Sequence, residues 1–471
     1  MKLRNILCAT LLLSAMVSCT DRHVPSDLRA SAYPLVTIDP FTSAWSAADN
    51  LYDCQVKHWT GRDFPFVGIL TVDGEPYRFM GERVATYDSV TDDVNAWNAV
   101  YTTSRPSGDW MAPDYSPKGW KQGVGPFGCM NPDAPYVTEW NTDQIWLRRE
   151  FELAEDLCDE DVVLNYSHDD DAVIYVNGIE VANWVHSWEC DGYMTLPKEV
   201  VATLKAGRNV IAATCVNTAG DGVIDANIKV VRYHGTEVSE TAVQKSVDVQ
   251  ATQTHYEMTC GPVDLKISFM APLLLDNLEL VSRPVNYVSY TASSNDGSNH
   301  DVKITFEATG DWARHLGNQE LELSTEEDAN FVYLKAGTKE QNILGRKGDH
   351  VCIDWGYFYL AAGKDGASAS VDAPVMSLTQ DLGSVKGKTS GKVMVGYDDI
   401  YSVQYFGENL RPYWNRDGQH TIQEQFSLAD AQYAELQKKC EEFDCRLMAE
   451  ATAAGGKKYA ELCAVAYRQC I

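Results

Sequence analysis

The stretch VVLNYSHDDDAVIYVNG at residues 162–178 decides the fold class of this chain. Residues 162–166 and 172–176 are short runs rich in Val, Ile, Leu and Tyr, which favour strands over helices. The pair Asn177-Gly178 follows the second run and suits the positive φ angles of a tight hairpin turn. The stretch therefore predicts β-strands joined by short turns.

The same pattern recurs along most of the chain. Further short β-type runs cover residues 66–72, 210–216, 263–269, 287–292 and 302–308. Turn pairs such as Asp73-Gly74 and Asp296-Gly297 lie between or beside them. Many short strands at this spacing are typical of β-sandwiches rather than of alternating strands and helices, so the sequence predicts a mainly β fold.

Composition limits the class of protein and its partners. A chain of 471 residues is long enough for about three domains, and its 45% hydrophobic content is ample for packed cores. The formal net charge of −28 argues against nucleic acid and against anionic lipid surfaces as partners. It favours an exported protein that faces a neutral or cationic small-molecule or glycan substrate.

The N-terminus resembles a bacterial lipoprotein signal over residues 1–19. Lys2 and Arg4 precede an apolar run, and Cys19 follows a small residue, as lipidation requires. We expect the chain to be exported and anchored to the bacterial outer membrane through lipid on Cys19, facing the periplasm or the surface. Secretion without a lipid is the alternative. Residues 20–32 read as a tether, and no later apolar run reaches the roughly 18 residues of a spanning helix.

Eleven cysteines remain once Cys8 and Cys19 are assigned to the signal. They are scattered and include no Cys-x-x-Cys pair, so the sequence predicts neither a disulfide framework nor a zinc site. We expect most of them to be small buried side chains.

Two amphipathic helices are predicted at the C-terminus. The first starts near Ser427 and ends at Gly455-Gly456, and the second starts at Lys457. One interpretation is that they open a helical domain that is cut short, which would leave an apolar patch of Leu436, Phe443, Leu462 and Tyr467. The other is that the helices pack back onto the β region as a cap.

Residues 105–234 contain an ordered series of sequence motifs that differs from the flanking segments. An entry rich in tryptophan precedes the run WLRREF at 146–151, the stretch HDDDAVIYVNG at 168–178 and the run LKAGRNVI at 204–211. This order resembles the galactose-binding-like jelly roll, including the sugar-binding domain of glycoside hydrolase family 2. The resemblance implies an inserted jelly roll but does not identify its ligand.

The inserted region offers a predicted sugar site. Trp184, His186 and Trp188 lie just past the Asn177-Gly178 turn. Indole faces stack on the C–H faces of sugar rings, while polar neighbours bond the hydroxyls. The alternative is that these indoles belong to the core.

A second prediction for this region concerns metal. Asp169, Asp170 and Asp171 are hard oxygen ligands of the kind that bind a structural calcium ion. The alternative is a solvated turn whose carboxylates cap backbone N–H groups. No other cofactor is predicted.

Several distinctive blocks outside the insert carry a second resemblance. They are YPLV at 33–36, DPFTSAWS at 39–46, DNLYD at 49–53, VKHWTG at 56–61, YDDIYSVQYFG at 397–407, LRPYWN at 410–415 and GGKKYAELC at 455–463. Together they resemble the glutaminase A family. The resemblance implies a discontinuous β-sandwich over 33–104 and 235–395, followed at 396–471 by a linker and the first helices of a truncated α-helical toroid. The family name implies hydrolysis of the glutamine side-chain amide.

The linker supplies further predicted site residues. Tyr405, Arg411, Trp414 and Asn415 would line the mouth of the toroid cleft, with Arg411 holding a carboxylate or hydroxyl. The alternative is an ordered connection between sandwich and toroid. No catalytic residue is predicted, because the paired carboxylates of a glycosidase carry no local sequence signature. The sequence also has no nucleophile elbow, zinc-binding helix or phosphate loop.

Three functional hypotheses follow. The first is the β-rich N-terminal portion of an exported glutaminase A-like hydrolase, acting on amides or glycans and inactive without the missing helices. The second is a surface lipoprotein that binds carbohydrate. The third is an active hydrolase whose site lies within the sandwiches.

Overall fold

The computed structural model describes residues 24–91, 96–130, 136–346 and 351–470. The predicted signal, with Cys19, lies outside these residues. The described chain forms two compact units. The host unit runs to Val84 and resumes at Gly235, and the inserted unit covers Ala85–His234.

The host unit contains eighteen described strands in two stretches of the chain. The first stretch has β1 (Tyr33–Thr37), β2 (Ser43–Ser46), β3 (Phe66–Val72) and β4 (Glu75–Met80). The second has β17 (Glu240–Thr241), β18 (Val243–Val249), β19 (Gln253–Cys260), β20 (Val263–Met270), β21 (Val285–Ser294), β22 (His300–Thr309), β23 (Leu321–Glu327), β24 (Phe331–Thr338), β25 (Tyr357–Gly363), β26 (Ala367–Asp372), β27 (Val375–Val385), β28 (Lys388–Asp398), β29 (Val403–Tyr405) and β30 (Glu408–Leu410).

The inserted unit contains twelve described strands. They are β5 (Ala85–Ser89), β6 (Trp97–Thr102), β7 (Lys121–Gly125), β8 (Phe127–Cys129), β9 (Thr138–Glu139), β10 (Gln144–Leu153), β11 (Val162–Asp169), β12 (Asp171–Val176), β13 (Ile179–Trp184), β14 (Trp188–Thr195), β15 (Gly207–Val216) and β16 (Gly222–Tyr233). The described helices are α1 (Lys198–Val201), α2 (Leu278–Val281), α3 (Ile422–Gly455) and α4 (Lys457–Gln469).

Two large sheets form the host sandwich. One has the order β17-β4-β3-β22-β27-β26, and the other has the order β18-β19-β20-β21-β28-β25-β24-β23. Strand alternation explains the core: Val263, Leu265 and Ile267 are fully buried on one face of β20, whereas Lys266 on the other face is exposed. Side chains from both sheets meet in one cluster that includes Phe66. Together with the inserted sheets, this confirms the prediction of a mainly β fold.

The inserted unit is a second sandwich. Its sheets have the orders β13-β12-β15-β10-β6-β7 and β14-β11-β16-β8-β9, and β5 also pairs with β16. The two runs of the stretch 162–178 therefore lie in different sheets, with β11 in one and β12 in the other. The predicted turn at Asn177-Gly178 does form, with φ of 47° and 86°, and it joins β12 to β13.

The inserted unit starts earlier than residue 105, where the sequence placed the boundary. β5 pairs with β16 from Ala85↔Tyr233 to Ser89↔Lys229, and β6 pairs with β10. These hydrogen-bonded ladders hold residues 85–102 in the inserted sheets. The sequence placed the boundary later because the tryptophan-rich entry begins only after residue 105.

Helix α3 begins at Ile422, five residues before the predicted cap at Ser427. Thr421 and Glu424 form a reciprocal capping box, since the Thr421 side chain accepts from the Glu424 N–H and the Glu424 carboxylate accepts from the Thr421 N–H. The buried face of α3, with Phe426 and Ala429, covers the outer face of the eight-stranded sheet. Tyr287 of that sheet donates to the Ala429 carbonyl at 3.0 Å.

The helices therefore pack back onto the β region, which was the second interpretation. Leu436 is buried in the same cluster, and Phe443 packs on Tyr467 with ring centroids 5.0 Å apart. The predicted apolar patch is wrong for these three residues and remains for Leu462, which is 57% exposed. None of the helices in the described ranges is long and apolar enough to cross a membrane.

None of the eleven cysteines that the structure describes forms a disulfide bond. Five are buried, four are partly buried and two are exposed. The expectation that most are fully buried is therefore wrong, because several lie on helix surfaces and strand edges.

Candidate functional site

Four sequence segments, distant in the chain, meet at one end of the host unit. They are residues 39–41, 58–60, 352–356 and 397–402, and we call this region the polar end. The carbonyl of Pro40 accepts from His58 Nε2 at 3.0 Å and from Trp59 Nε1 at 2.7 Å. These bonds join the first two segments.

Trp355 joins the other two segments to the first. Its ring packs edge-on against Phe41 with centroids 5.4 Å apart. Tyr397 Oη donates to the Trp355 carbonyl at 2.7 Å, and Trp355 Nε1 donates to the Tyr401 carbonyl at 3.0 Å. Three of the blocks that carry the glutaminase A resemblance are therefore neighbours in space.

Gly356 allows the two acidic segments to approach each other. Its φ is +74°, and a Cβ at this position would lie 2.1 Å from the Asp398 carbonyl oxygen and 3.0 Å from Asp399 Cα. Only glycine fits so close to backbone atoms with this φ. The backbone of 354–356 thus lies directly against the turn at 398–399.

Asp399 is a buried carboxyl group of the polar end. Its side chain is 8% exposed, Ser402 Oγ donates to its Oδ2, and its Oδ1 has no hydrogen-bond partner in the described chain. Burial raises the pKa of Asp399 to about 7, and the charges of Asp39 and Asp398 act in the same direction. The group can therefore take up and release a proton near neutral pH.

Asp354 is a second buried carboxylate of the polar end. Arg346 Nε donates to its Oδ2 at 2.6 Å and Gln319 Nε2 donates to the same atom at 2.9 Å. Its Oδ1 is buried and has no partner among the described residues. The guanidinium fixes this carboxylate and leaves one oxygen with unused acceptor capacity.

His58 is buried beside a thiol. Desolvation lowers the pKa of His58 to about 4, so its imidazole is neutral at pH 7. Since Nε2–H donates to Pro40, Nδ1 is the acceptor; it lies 2.9 Å from Thr60 Oγ1 and 3.6 Å from Cys352 Sγ. Burial also raises the pKa of the Cys352 thiol, so this pair is held in its neutral form.

Arg411 is the predicted linker residue that reaches the polar end. Its guanidinium lies 5.0 Å from the Tyr401 ring centroid, a cation–π distance. Burial raises the pKa of the Asp398 carboxyl, and the charge of Arg411 opposes that shift. An exposed cation therefore accompanies the two adjacent carboxyl groups.

The other predicted linker residues do not join Arg411. Tyr405 is exposed on the β29–β30 hairpin, where its ring meets Phe406 edge-on at 4.5 Å. Trp414 and Asn415 are buried, and Asn415 Oδ1 accepts from the His420 N–H at 3.0 Å. These two residues order the connection to α3, as the alternative interpretation expected.

The predicted sugar residues Trp184 and Trp188 lie in different sheets of the inserted unit, Trp184 at the end of β13 and Trp188 at the start of β14. Trp184 stacks on His168 with ring centroids 4.4 Å apart and an interplanar angle of 17°. Trp188 lies opposite Asp169 in the ladder of β14 and β11. His168 and Asp169 are consecutive strand residues, so their side chains point to opposite faces and the two indoles do not form one site.

His186 is exposed between them, and its N–H donates to Asp171 Oδ1 at 2.6 Å. Asp170 Oδ2 accepts from the Thr218 N–H at 2.7 Å and from Thr218 Oγ1. Within the described ranges, no group of three or more His, Cys, Asp or Glu side chains is arranged to hold a metal ion. These contacts favour the turn interpretation of Asp169–Asp171 over the calcium prediction.

Sequence reasoning missed Asp354, Arg346, Ser402 and Cys352. Ser402 lies within the distinctive block at 397–407, whereas Arg346, Cys352 and Asp354 lie in none of the blocks. Cys352 and His58, which meet in the structure, are almost three hundred positions apart in the sequence. Pairing of β25 with β28 brings these segments together, and the sequence does not encode that pairing in a local pattern.

Two family profiles match the chain. A family described as Domain of unknown function (DUF5127) matches residues 252–372 and 362–450, and one described as Domain of unknown function (DUF4964) matches residues 6–92. The chain is also similar to a glutaminase A of Aspergillus oryzae, with 22% identity over 266 residues. That match covers 49% of this chain and 38% of the relative, so the chain spans well under half of the relative's length.

Solved structures with some similarity include a β-glucuronidase, a glycosyl hydrolase family 2 member and a putative kojibiose phosphorylase. A Bacteroides uniformis β-glucuronidase 2 has 12% identity and a TM-score of 0.26, and the match covers 49% of this chain and 34% of the glucuronidase chain. A glycosyl hydrolase family 2 member from Bacteroides cellulosilyticus has 10% identity and a TM-score of 0.25, and the match covers 65% of this chain and 36% of the hydrolase chain. A putative kojibiose phosphorylase from the human microbiome has 10% identity and a TM-score of 0.30, and the match covers 48% of this chain and 29% of the phosphorylase chain. Scores this low carry no argument about function.

Proposed function

We propose that this chain is the β-rich portion of an exported glutaminase A-like hydrolase that cleaves an amide or a glycosidic bond. The similarity to a glutaminase A supports the reaction class. The polar end of the host unit is the proposed substrate-facing region. The remainder of the active site is proposed to lie in residues that the relative has and this chain does not match.

Asp399 is the observation that carries the proposal. Amide and glycoside hydrolysis both need a group that transfers a proton near neutral pH, and a carboxyl with a pKa of about 7 meets that need. The buried Oδ1 of Asp399 has no protein donor among the described residues and so retains its capacity to accept a hydrogen bond. The nearby Arg411 guanidinium offers a bidentate contact for a substrate carboxylate, such as that of glutamine.

The direct test is ammonia release from glutamine, alongside aryl glycoside hydrolysis, by the 471-residue chain and by the same chain extended through the sequence encoded downstream. We expect activity in the extended form only. Activity in both forms would place the complete site within the sandwiches. Absence of activity in both forms, with folded protein, would remove the hydrolase proposal.

Asp399→Asn should lower the kcat/KM of the active form at least tenfold and change the pH profile near pH 7. The same variant should become more stable than the parent at pH 8. Because the folded pKa of Asp399 is raised, the parent binds the proton more tightly when folded, and its stability falls as pH rises from about 4 through about 7. A neutral amide removes that loss.

Urea unfolding at pH 5 and pH 8 measures the second effect. Asp365→Asn is the control, because Asp365 is exposed in the turn between β25 and β26. If Asp399→Asn leaves both turnover and the pH dependence of stability unchanged, the assigned role of Asp399 is wrong.

We further propose that the chain is lipid-anchored through Cys19. Cys19→Ala should move the protein from the detergent phase to the aqueous phase in Triton X-114 partition, because the thiol that receives the diacylglyceryl group is lost. Ser18→Ala, which keeps a small residue before the cysteine, is the control and should remain in the detergent phase. Equal partition of Cys19→Ala and the parent would contradict lipid anchoring.

A further inference from the structure

The outer face of one inserted sheet carries polar and aromatic side chains that the functional proposal does not use. Leu164, Tyr166 and His168 of β11 point inward to the sandwich core. Strand alternation then places Asn165 and Ser167 on the outer face. Both outer residues are nevertheless buried, which is unusual for polar side chains on an outer sheet face.

Strand register arranges this face in rows. Asn165 lies opposite Tyr193 of β14 on one side and opposite Asn227 of β16 on the other. In the next row, Ser167 lies opposite Asp225. One row further on, Asp169 lies opposite Trp188 of β14. Four polar residues therefore lie between a tyrosine and a tryptophan, and we call them the polar floor: Asn165, Ser167, Asp225 and Asn227.

Hydrogen bonds hold the floor in place on the β14 side. Asn165 Nδ2 donates to Asp191 Oδ1 at 2.8 Å, and the Asp191 N–H donates to Ser167 Oγ at 3.0 Å. These bonds fix the Asp191 carboxylate beside the floor and leave it further acceptor capacity.

The β16 side is held in the same way. Trp97 Nε1 donates to Asp225 Oδ1 at 2.8 Å, and Asn227 Nδ2 donates to the same atom at 3.1 Å. Asp225 Oδ1 is therefore occupied by protein donors, and its carboxylate is set in one orientation. Preorganised acceptors of this kind lower the entropic cost of binding a hydroxylated ligand.

Aromatic rings border the floor. Tyr193 stacks on Tyr87 of β5 with ring centroids 4.3 Å apart, and Lys229 Nζ donates to Tyr193 Oη at 3.1 Å. At the other border, Trp188 is 61% exposed. Four residue intervals of β11 separate the two borders, which corresponds to about 13 Å at the usual strand rise. That width accommodates one or two sugar rings.

The charges of this face select among ligands. Asp169, Asp191 and Asp225 contribute three carboxyl groups, and Lys229 contributes one ammonium group. Burial raises the pKa of Asp169 and Asp225 to about 6, so both are mostly ionised at pH 7.5. An anionic ligand would meet like charge here, whereas hydroxyl and amine donors would meet acceptors.

We infer that the outer face bordered by Tyr87, Tyr193 and Trp188 is a binding site for a non-anionic glycan. The exposed indole of Trp188 stacks on the C–H face of a sugar ring. The exposed Asp191 carboxylate accepts from its hydroxyl or amino groups. This site is independent of the proposed hydrolytic function, and it uses Trp188 without Trp184.

Binding of the full chain to an array of neutral, amino and uronic-acid oligosaccharides tests the inference, with affinities of the hits measured by isothermal titration calorimetry. We expect neutral or amino oligosaccharides to bind and uronic-acid oligosaccharides not to bind. Trp188→Ala should weaken binding at least tenfold, and Trp188→Phe should retain part of the affinity, because a ring remains for stacking.

Phe406→Ala is the matched control, since Phe406 is an aromatic side chain of the host unit that is 91% exposed. It should leave glycan affinity unchanged. Thermal unfolding of Trp188→Ala should match the parent, because the side chain is largely in solvent. Binding of no neutral or amino oligosaccharide, or equal binding by Trp188→Ala and the parent, would overturn the inference.

Discussion

Gly356→Ala will destabilise the host unit by more than about 3 kcal/mol, the range of severe backbone changes. Two causes act together. An alanine at a φ of +74° is strained by about 1 to 2 kcal/mol, and its Cβ would lie 2.1 Å from the Asp398 carbonyl oxygen. Backbone atoms cannot yield as a flexible side chain does, so the 354–356 and 398–399 segments must separate.

That separation has a local signature. The hydrogen bond from Trp355 Nε1 to the Tyr401 carbonyl joins the same two segments and should lengthen or break. We therefore expect amide hydrogen exchange to accelerate around residues 354–358 and 397–402 before the whole unit unfolds. Equilibrium urea unfolding gives the loss of free energy.

Gly363→Ala is the matched control for this experiment. Gly363 lies at the end of β25, the strand that starts just after Gly356, and no atom lies within 4 Å of a Cβ built on it. This substitution should change the free energy of unfolding by less than about 1 kcal/mol. Equal effects of the two substitutions would mean that the close approach at Gly356 does not determine stability.

Arg149→Met will destabilise the inserted unit by about 3 kcal/mol. The Arg149 side chain is fully buried, and its Nη1 donates to the Ala226 carbonyl at 2.9 Å and to Asn227 Oδ1 at 2.5 Å. Methionine fills a similar volume but donates no hydrogen bond. The buried acceptors on β16 would lose their partners, and this loss outweighs the gain from removing a buried charge.

The position of Arg149 explains why the bonds matter. β16 pairs with β8 at residues 222–224 and with β5 at residues 229–233, and among the described strands none pairs with this edge of β16 at residues 225–228. Arg149 reaches that gap from β10 and its guanidinium lies 5.0 Å from the Trp97 ring centroid. Tryptophan fluorescence during urea unfolding and hydrogen exchange in β16 should both report the change.

Arg208→Met is the matched control, because Arg208 forms an exposed ion pair with Glu150 at 2.5 Å. Exposed pairs contribute about 0 to 1 kcal/mol. The two arginines lie on paired strands of one sheet, so a difference in effect reports burial and hydrogen bonding. If Arg149→Met lowers the free energy of unfolding no more than Arg208→Met does, the hydrogen bonds from Arg149 do not stabilise this part of β16.

Sequence pattern was sufficient for features set by neighbouring residues. The β-type runs, the Asn177-Gly178 hairpin and the two terminal helices all follow from local spacing and turn chemistry. The alternation Ile145, Leu147, Arg149 and Phe151 even places Arg149 on the core face of β10, although only the structure shows which groups it contacts.

Features set by strand pairing could not be predicted in the same way. Residues 162–166 and 172–176 look like adjacent strands, yet they belong to different sheets. Trp184 and Trp188 are four positions apart and point to different faces, because the chain crosses between sheets at His186. The polar end combines residues 39 and 399, and no local pattern links positions that far apart.

The ladder between β5 and β16 also bears on how the inserted unit joins the host chain. Ala85 pairs with Tyr233, so the chain enters and leaves the inserted unit at points about 5 Å apart. A host chain joined directly from Val84 to Gly235 would have to bridge only that gap. The inserted unit thus enters and leaves the host chain at neighbouring points, which is the geometry that a domain inserted into another as one continuous segment requires.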